Sequence, residues 1–339
     1  MGSGSAPSRL STCLRTESRR PRRRKALKEA SMAYRFSRTD GSVAEAVRRV
    51  AGEQIDKAIA EIDDQRGDRH ETVHDVRKRC KKLRGLVRLV RPGFPAYAEE
   101  NAAYRDIGRL LSPLRDTGAM IEAYDDLTAA YDDQIERPAF ASIRRRLTLR
   151  RKEVSRRDID ERLAEVRDLL VDGKVRALRW AFDTKGAAPV WQGLAKTYGR
   201  GRDAMATARK SPTEEALHDW RKRVKYHGYH TRLLSPIWPE PMSAHQSAAS
   251  ALGDLLGDHH DLDVLEATLK AEPDAFGHSD DLAVFLALLD RRRGELRADA
   301  FALGDRLFAE KSKVFSARWR AYWKVWRAET KASQVALAA

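Results

Sequence analysis

The stretch HDVRKRCKKLRGLVRLVRP, residues 74–92, sets the strongest constraint on this chain. Val73, Val76, Cys80, Leu83, Val87 and Val90 recur at steps of three and four, the period of a buried helix face. His74, Arg77, Lys78, Lys81, Arg84 and Arg88 fall on the opposite side of the same helix. No acidic residue occurs between Val76 and Ala98, and Pro92 and Gly93 stop the helix. Cation pairs three or four residues apart cost a helix about 0.2–0.5 kcal/mol each. A solvated helix ordinarily mixes both signs, as residues 45–64 do. A one-sign stripe therefore points to a polyanionic partner. The bland alternative is a solvated charge run.

The stripe occurs twice. HDWRKRVKYHGYHTRLLSP, residues 218–236, repeats it at a shift of 144 (from His74 to His218). His74, Asp75, Arg77, Lys78, Arg79, Lys81, Arg88, Leu89 and Pro92 pair with His218, Asp219, Arg221, Lys222, Arg223, Lys225, Arg232, Leu233 and Pro236. After one inserted residue, Gly108, Leu110, Leu111 and Asp116 align with Gly253, Leu255, Leu256 and Asp261, and Arg115 faces His260. Two related halves follow, residues 32–180 and 188–333, plausibly with both cationic helices facing a shared groove. Duplication of the same polar spacing weakens the solvated-face reading.

The rest of the chain reads as helical. Hydrophobic residues make up 42% and charged residues 34%, a balance that suits helices with one buried face. The predicted spans are 42–64, 72–91, 97–111, 116–136, a long amphipathic segment 138–171, 190–208, 212–234, 243–256, 261–271, 280–303 and 306–331. Ser42 and Glu45 form a capping-box pattern, and Pro212 suits the first position of its helix. Residues 172–189 read as a connection, and 235–241 as a turn. Ala33–Ser37 is the one plausible strand. The fold class is all-α.

A net charge of +15 favours nucleic acid, anionic membrane or another polyanion. No apolar run reaches the roughly 18 residues of a membrane span. Two cysteines, Cys13 and Cys80, make a disulfide framework or structural zinc site unexpected and suit a reducing, cytoplasmic setting. Residues 1–31 are expected to be a basic disordered tail, densest at SRRPRRRK, residues 18–25. The tail could be a transit peptide, which would make the compartment an organelle. It could equally be upstream of a start at Met32.

The residue types suit phosphate. Arg offers a planar fork to two oxygens, and Lys a compact charge. His74 and His218 are read at helix starts, where backbone N–H groups favour anions. Asp75 and Asp219 are read as first-turn acids that stabilise the helix dipole or orient a neighbouring cation, rather than as catalysts. The two His-Asp pairs raise the alternative of a metal-dependent phosphohydrolase, but a cationic helix repels a metal ion. His259, His260, Asp261 and Asp263 form a second metal candidate, yet they do not all share one helix face. Phe315, Trp319, Tyr322, Trp323 and Trp326 read as core packing rather than base stacking. No Walker A loop, dinucleotide fingerprint or nucleophile elbow is present, so the chain reads as a binding module with no cofactor rather than an enzyme.

The doubled HDxRKRxK helix, each copy followed by a Leu-rich segment with Arg-Asp or His-Asp, resembles the CHAD domain, the conserved histidine α-helical domain. YRF at 34–36, SVAEAVRRVAGEQIDKAI at 42–59 and TYGRGRDAMATA at 197–208 extend the resemblance from about Tyr34 to Lys331. It implies two four-helix bundles with pseudo-twofold symmetry around a basic groove or pore. It also implies binding of long-chain inorganic polyphosphate and recruitment to polyphosphate granules, with granule-associated or polyphosphate-metabolising proteins as partners. Carried onto matching positions, the binding set is His74, Arg77, Lys78, Lys81, Arg88, His218, Arg221, Lys222, Lys225 and Arg232. Arg84 belongs to the first stripe, where Gly228 stands in the second. Arg200 and Arg202 are second-tier candidates. The ExExK signature of the triphosphate-tunnel domain carried by many relatives is absent. A general nucleic-acid binder remains the main alternative.

Overall fold

The computed structural model describes residues 34–153 and 156–338. Among them are eleven α-helices and no strand. They are α1 (Val43–Asp63), α2 (Arg69–Leu89), α3 (Tyr97–Leu110), α4 (Ser112–Ala130), α5 (Ala141–Glu153) and α6 (Arg156–Leu178). Then come α7 (Ala188–Lys210), α8 (Glu214–Leu234), α9 (Pro239–Ala271), α10 (Ser279–Leu307) and α11 (Ser312–Ala338). The expected tail, 1–31, lies outside the described residues.

Local chemistry places the helix starts. The Ser42 hydroxyl accepts from the Glu45 N–H at 3.1 Å, and the Glu45 carboxylate reaches back to the Gly41 N–H. Asp68 caps α2 by accepting from the His70 N–H, and Thr213 caps α8 by accepting from Ala216. The second cap corrects the expectation for Pro212: it stands one residue before the cap, because the Thr213 hydroxyl supplies the acceptor. Both cationic helices therefore begin earlier than their His residues. His74 and His218 sit about one turn inside, beyond the free N–H groups of the first turn.

The expected strand does not form. Tyr34–Ser37 is irregular, with Tyr34 and Phe36 buried, and the Phe36 N–H donates to the Leu233 carbonyl at 2.9 Å. That contact satisfies a carbonyl in the last turn of α8. Residues 243–256 and 261–271, read as two helices, belong to the single helix α9. Conversely, the segment read as one helix from 138 is the pair α5 and α6. The connection read at 172–189 begins only after Leu178, with Tyr104 packed on the Gly173 carbonyl.

All six apolar positions of the α2 stripe are at most 1% exposed. They belong to a core that runs through α1, α2, α3 and α6 and on into α7, α8, α9 and α11. A second core gathers Tyr124, Leu127, Phe140 and Leu147 with Leu265, Leu269, Phe285 and Leu289. Both cores draw residues from both halves of the sequence. Phe315, Trp319 and Trp326 are buried in the first, as expected, and Tyr322 and Trp323 pack against it.

Two close approaches fix α2 in place. A Cβ on Gly193 of α7 would stand 1.9 Å from the Leu89 carbonyl oxygen, and one on Gly85 would stand 2.9 Å from the Tyr229 Cβ. Gly193→Ala forces backbone apart and is predicted to cost about 2 kcal/mol. Gly294→Ala, where a Cβ meets nothing within 4 Å, is predicted to be neutral or stabilising by up to about 1 kcal/mol. Denaturant titration of the two variants checks the contrast.

Candidate anion-binding site

The helices α2 and α8 cross in direct contact. They approach closely where Gly85 meets Tyr229, positions that the 144-residue repeat makes equivalent. His230 Nε2 lies 2.9 Å from the Gly85 carbonyl, in hydrogen-bond contact across the crossing. With the apolar backs of both helices in the core, the cationic sides emerge next to one another.

A cluster of cations forms beside the crossing. The Arg88 guanidinium lies 4.3 Å from the Tyr226 ring centre and 5.9 Å from Tyr97, while Arg91 lies 4.8 Å from Tyr97. Arg84 stands 5.9 Å from Tyr226 and donates to Asn101 at 3.4 Å. Arg200 of α7 joins them: burial, then the charges of Arg223, Arg91 and Arg88, pull its pKa below the ordinary value. Burial and Arg88 act on Arg84 in the same direction. Arg91 and Arg200 depress the Lys196 ammonium. Among the described residues, Arg84, Arg88, Arg91 and Arg200 form no salt bridge with a carboxylate. Aromatic faces stabilise such cations by about 0.5–2 kcal/mol each without cancelling their charge.

A second group lies toward the α8 N-terminus. His218 packs at 4.4 Å between ring centres on His260 of α9. Burial, and then Lys222, Arg221 and Lys81, hold its pKa below the usual 6.5. Arg221 and Lys225 lie in a notch of α9: a Cβ on Gly257 would stand 3.4 Å from Arg221 Nε, and one on Gly253 would stand 3.1 Å from the Lys225 stem. Arg77 does the equivalent in the first half, donating to the Gly108 carbonyl and to Ser112 Oγ, each at 2.5 Å.

The remaining candidates are more dispersed. Lys78 and Lys222 pair with the acid three residues before them, Asp75 and Asp219, and Lys225 pairs with Asp254 at 3.1 Å. His74 bonds Asp75 at 3.2 Å, and that bond lowers the Asp75 pKa. Both acids thus orient cations. Arg202 acts on Tyr198, as do Glu310 and Arg318. Arg232 lies on the other side of the crossing, near Tyr34, Tyr229 and Arg79. Arg91, Lys196, Arg223, Tyr97 and Tyr226 were not singled out from the sequence. The acid-free run contained Arg91, and the repeat contained Arg223. Nothing marked the two tyrosines.

The metal candidates separate. His259 bonds Asp263 at 3.0 Å, Arg293 holds Asp263 and Glu266, and His260 turns to His218. Among the described residues, no three His, Cys, Asp or Glu gather closely enough to hold a metal ion. Cys80 is a free, buried thiol, and no described helix is long and apolar enough to cross a membrane.

The model of the CHAD domain family matches residues 49–270. The chain belongs to the CHAD domain family. The match takes in both cationic helices and most of α9, a narrower span than the 34–331 expected. No curated protein matches the chain. Within this CHAD domain the doubled motif accounts for the crossing, while the cluster at Arg200 depends on α7 as well.

The histidine gives a pH test. A polyanion that neutralises Lys222, Arg221 and Lys81 removes the repulsion on the His218 imidazolium, so its pKa rises on binding. The added affinity is complete below the free-state pKa and lost as pH rises through the bound-state value. Binding is predicted to strengthen as pH falls from about 7 to about 5. NMR titration of His218 with and without polyanion should show its midpoint moving upward.

Proposed function

We propose that this CHAD domain binds long-chain inorganic polyphosphate, without catalysis, and thereby recruits the chain to polyphosphate granules in the cytoplasm. The observation that carries the reading is the cluster of Arg84, Arg88, Arg91 and Arg200 from α2, its C-terminal flank and α7, backed by tyrosines rather than balanced by carboxylates, with Arg223 of α8, tied to Asp219, beside it. Holding such charges together is unfavourable in the free protein. A flexible chain with one charge per phosphate relieves the repulsion along its whole length, and it has no bases that need reading. Family membership supports the same ligand.

We further infer that the two halves form pseudo-symmetric bundles around an approximate twofold axis near Gly85 and Tyr229. Repeat-equivalent positions meet there. Arg88 beside Tyr226 is matched by Arg232 beside Lys82, again at the repeat shift. On this reading the two cationic helices border one shared basic groove.

Direct titration tests the proposal. Long-chain polyphosphate should bind with an affinity that falls steeply with salt, since ion release drives contacts of this kind. Arg221→Glu with Lys222→Glu should weaken binding at least tenfold. Short duplex or single-stranded DNA at equal phosphate concentration should fail to displace the ligand. Displacement would favour a nucleic-acid binder. Metal-dependent phosphate release that disappears in His74→Ala or His218→Ala would instead make the protein a phosphohydrolase.

A further inference from the structure

Behind the α2–α8 crossing, away from the Arg88 cluster, lies a second cationic group that the binding reading does not use. Lys82 of α2 is 0% exposed, and its Nζ has no hydrogen-bond partner. Gln54 of α1 is also 0% exposed, and its side-chain N–H2 has no partner. Arg232 Nε on α8 is buried without a partner as well. Arg79 ties the group together. It donates to Gln54 Oε1 at 3.3 Å and pairs with Glu61, and its charge acts on both Lys82 and Arg232.

Three cations thus stand around a single carboxylate, and three buried donor atoms have nothing to donate to. Leaving one such donor unmet costs about 1–3 kcal/mol, and native interiors rarely do so. The repeat sharpens the anomaly. At the position equivalent to Lys82, the second half has Tyr226, whose ring faces Arg88. Arg232, the equivalent of Arg88, stands near Lys82 as well as Tyr34 and Tyr229.

Tyr34 closes the group from outside. Its hydroxyl donates to the Lys82 carbonyl at 2.7 Å, and its ring centre lies 5.6 Å from Lys82 Nζ. Tyr34 is itself fully buried, and Phe36 is anchored on Leu233. The enclosure shuts out an extended polymer but leaves the donors in need of an acceptor.

We propose that Lys82, Arg232 and Gln54 enclose a structural site for one small inorganic anion of halide size, locked in by Tyr34. With Lys82 neutral and Lys78 offset by its pair with Asp75, Arg79, Arg232 and Glu61 leave one positive charge, which a singly charged anion balances. Burial and the nearby Arg79 push the Lys82 pKa down to about 6. The anion raises that value, so it binds more tightly as pH falls toward 6. This site stands independently of polyphosphate binding at the Arg88 cluster.

The test uses the full chain at constant ionic strength. In sodium chloride the thermal midpoint should exceed that in sodium gluconate by about 3 °C, and more at pH 6 than at pH 8. Lys82→Met should abolish the difference while polyphosphate affinity stays within twofold of the parent. Crystals grown in bromide should show an anomalous peak between Lys82 Nζ and Arg232 Nε, a result that needs no variant. Equal midpoints in the two salts together with no bromide peak would overturn the proposal. So would stabilisation by orthophosphate in place of chloride.

Discussion

The contact between α2 and α8 governs the rest of the molecule. Val76, Leu83 and Val87 of α2 and Val224 and Leu233 of α8 are fully buried, so most cations of each helix are turned to the opposite side, with Arg79, Lys82 and Arg232 left behind the crossing. Burying one such side chain stabilises by roughly 1.5–3 kcal/mol, whereas each like-charge pair along a helix costs a few tenths. Packing therefore wins, and repulsion is tolerated where the two helices meet. Gly85 makes the close approach possible, and the contact between His230 and its carbonyl holds the register.

How the cations are supported follows from the same geometry. Carboxylates would cancel the charge that a polyanion needs, and the cluster beside the crossing uses other groups. Arg88 and Arg91 rest on tyrosine faces, Arg77 on a carbonyl and a hydroxyl, and Arg221 and Lys225 in the glycine notch of α9. The tyrosine faces hold Arg88 and Arg91 in position and leave their charge available, whereas Lys225 also pairs with Asp254. Acids appear at the margins, where Asp75 and Asp219 steer Lys78 and Lys222.

Much of this was legible in the sequence because the apolar period and the acid-free runs are local signals. The all-α class, the Ser42 cap and the buried face of α2 were all readable there. The break expected in α9 between 256 and 261 is absent: the helix runs on, and Gly253 and Gly257 thin it where Lys225 and Arg221 cross it. The long segment from 138 failed in the opposite way, since its charge pattern continues across two helices. Tyr97, Tyr226 and Lys196 reach the cluster only through tertiary packing, which leaves no trace in local spacing. Arg115 and Asp116, aligned with His260 and Asp261, lie outside the residues whose side chains are described.

If the cluster is held together against its own repulsion, stability and binding should trade against each other at its centre. The direct measurement is unfolding and polyphosphate binding of Arg88→Gln with Arg200→Gln, both at low salt. The account predicts a thermal midpoint equal to or above that of the parent, with affinity reduced at least tenfold. A lower midpoint with affinity unchanged would contradict it.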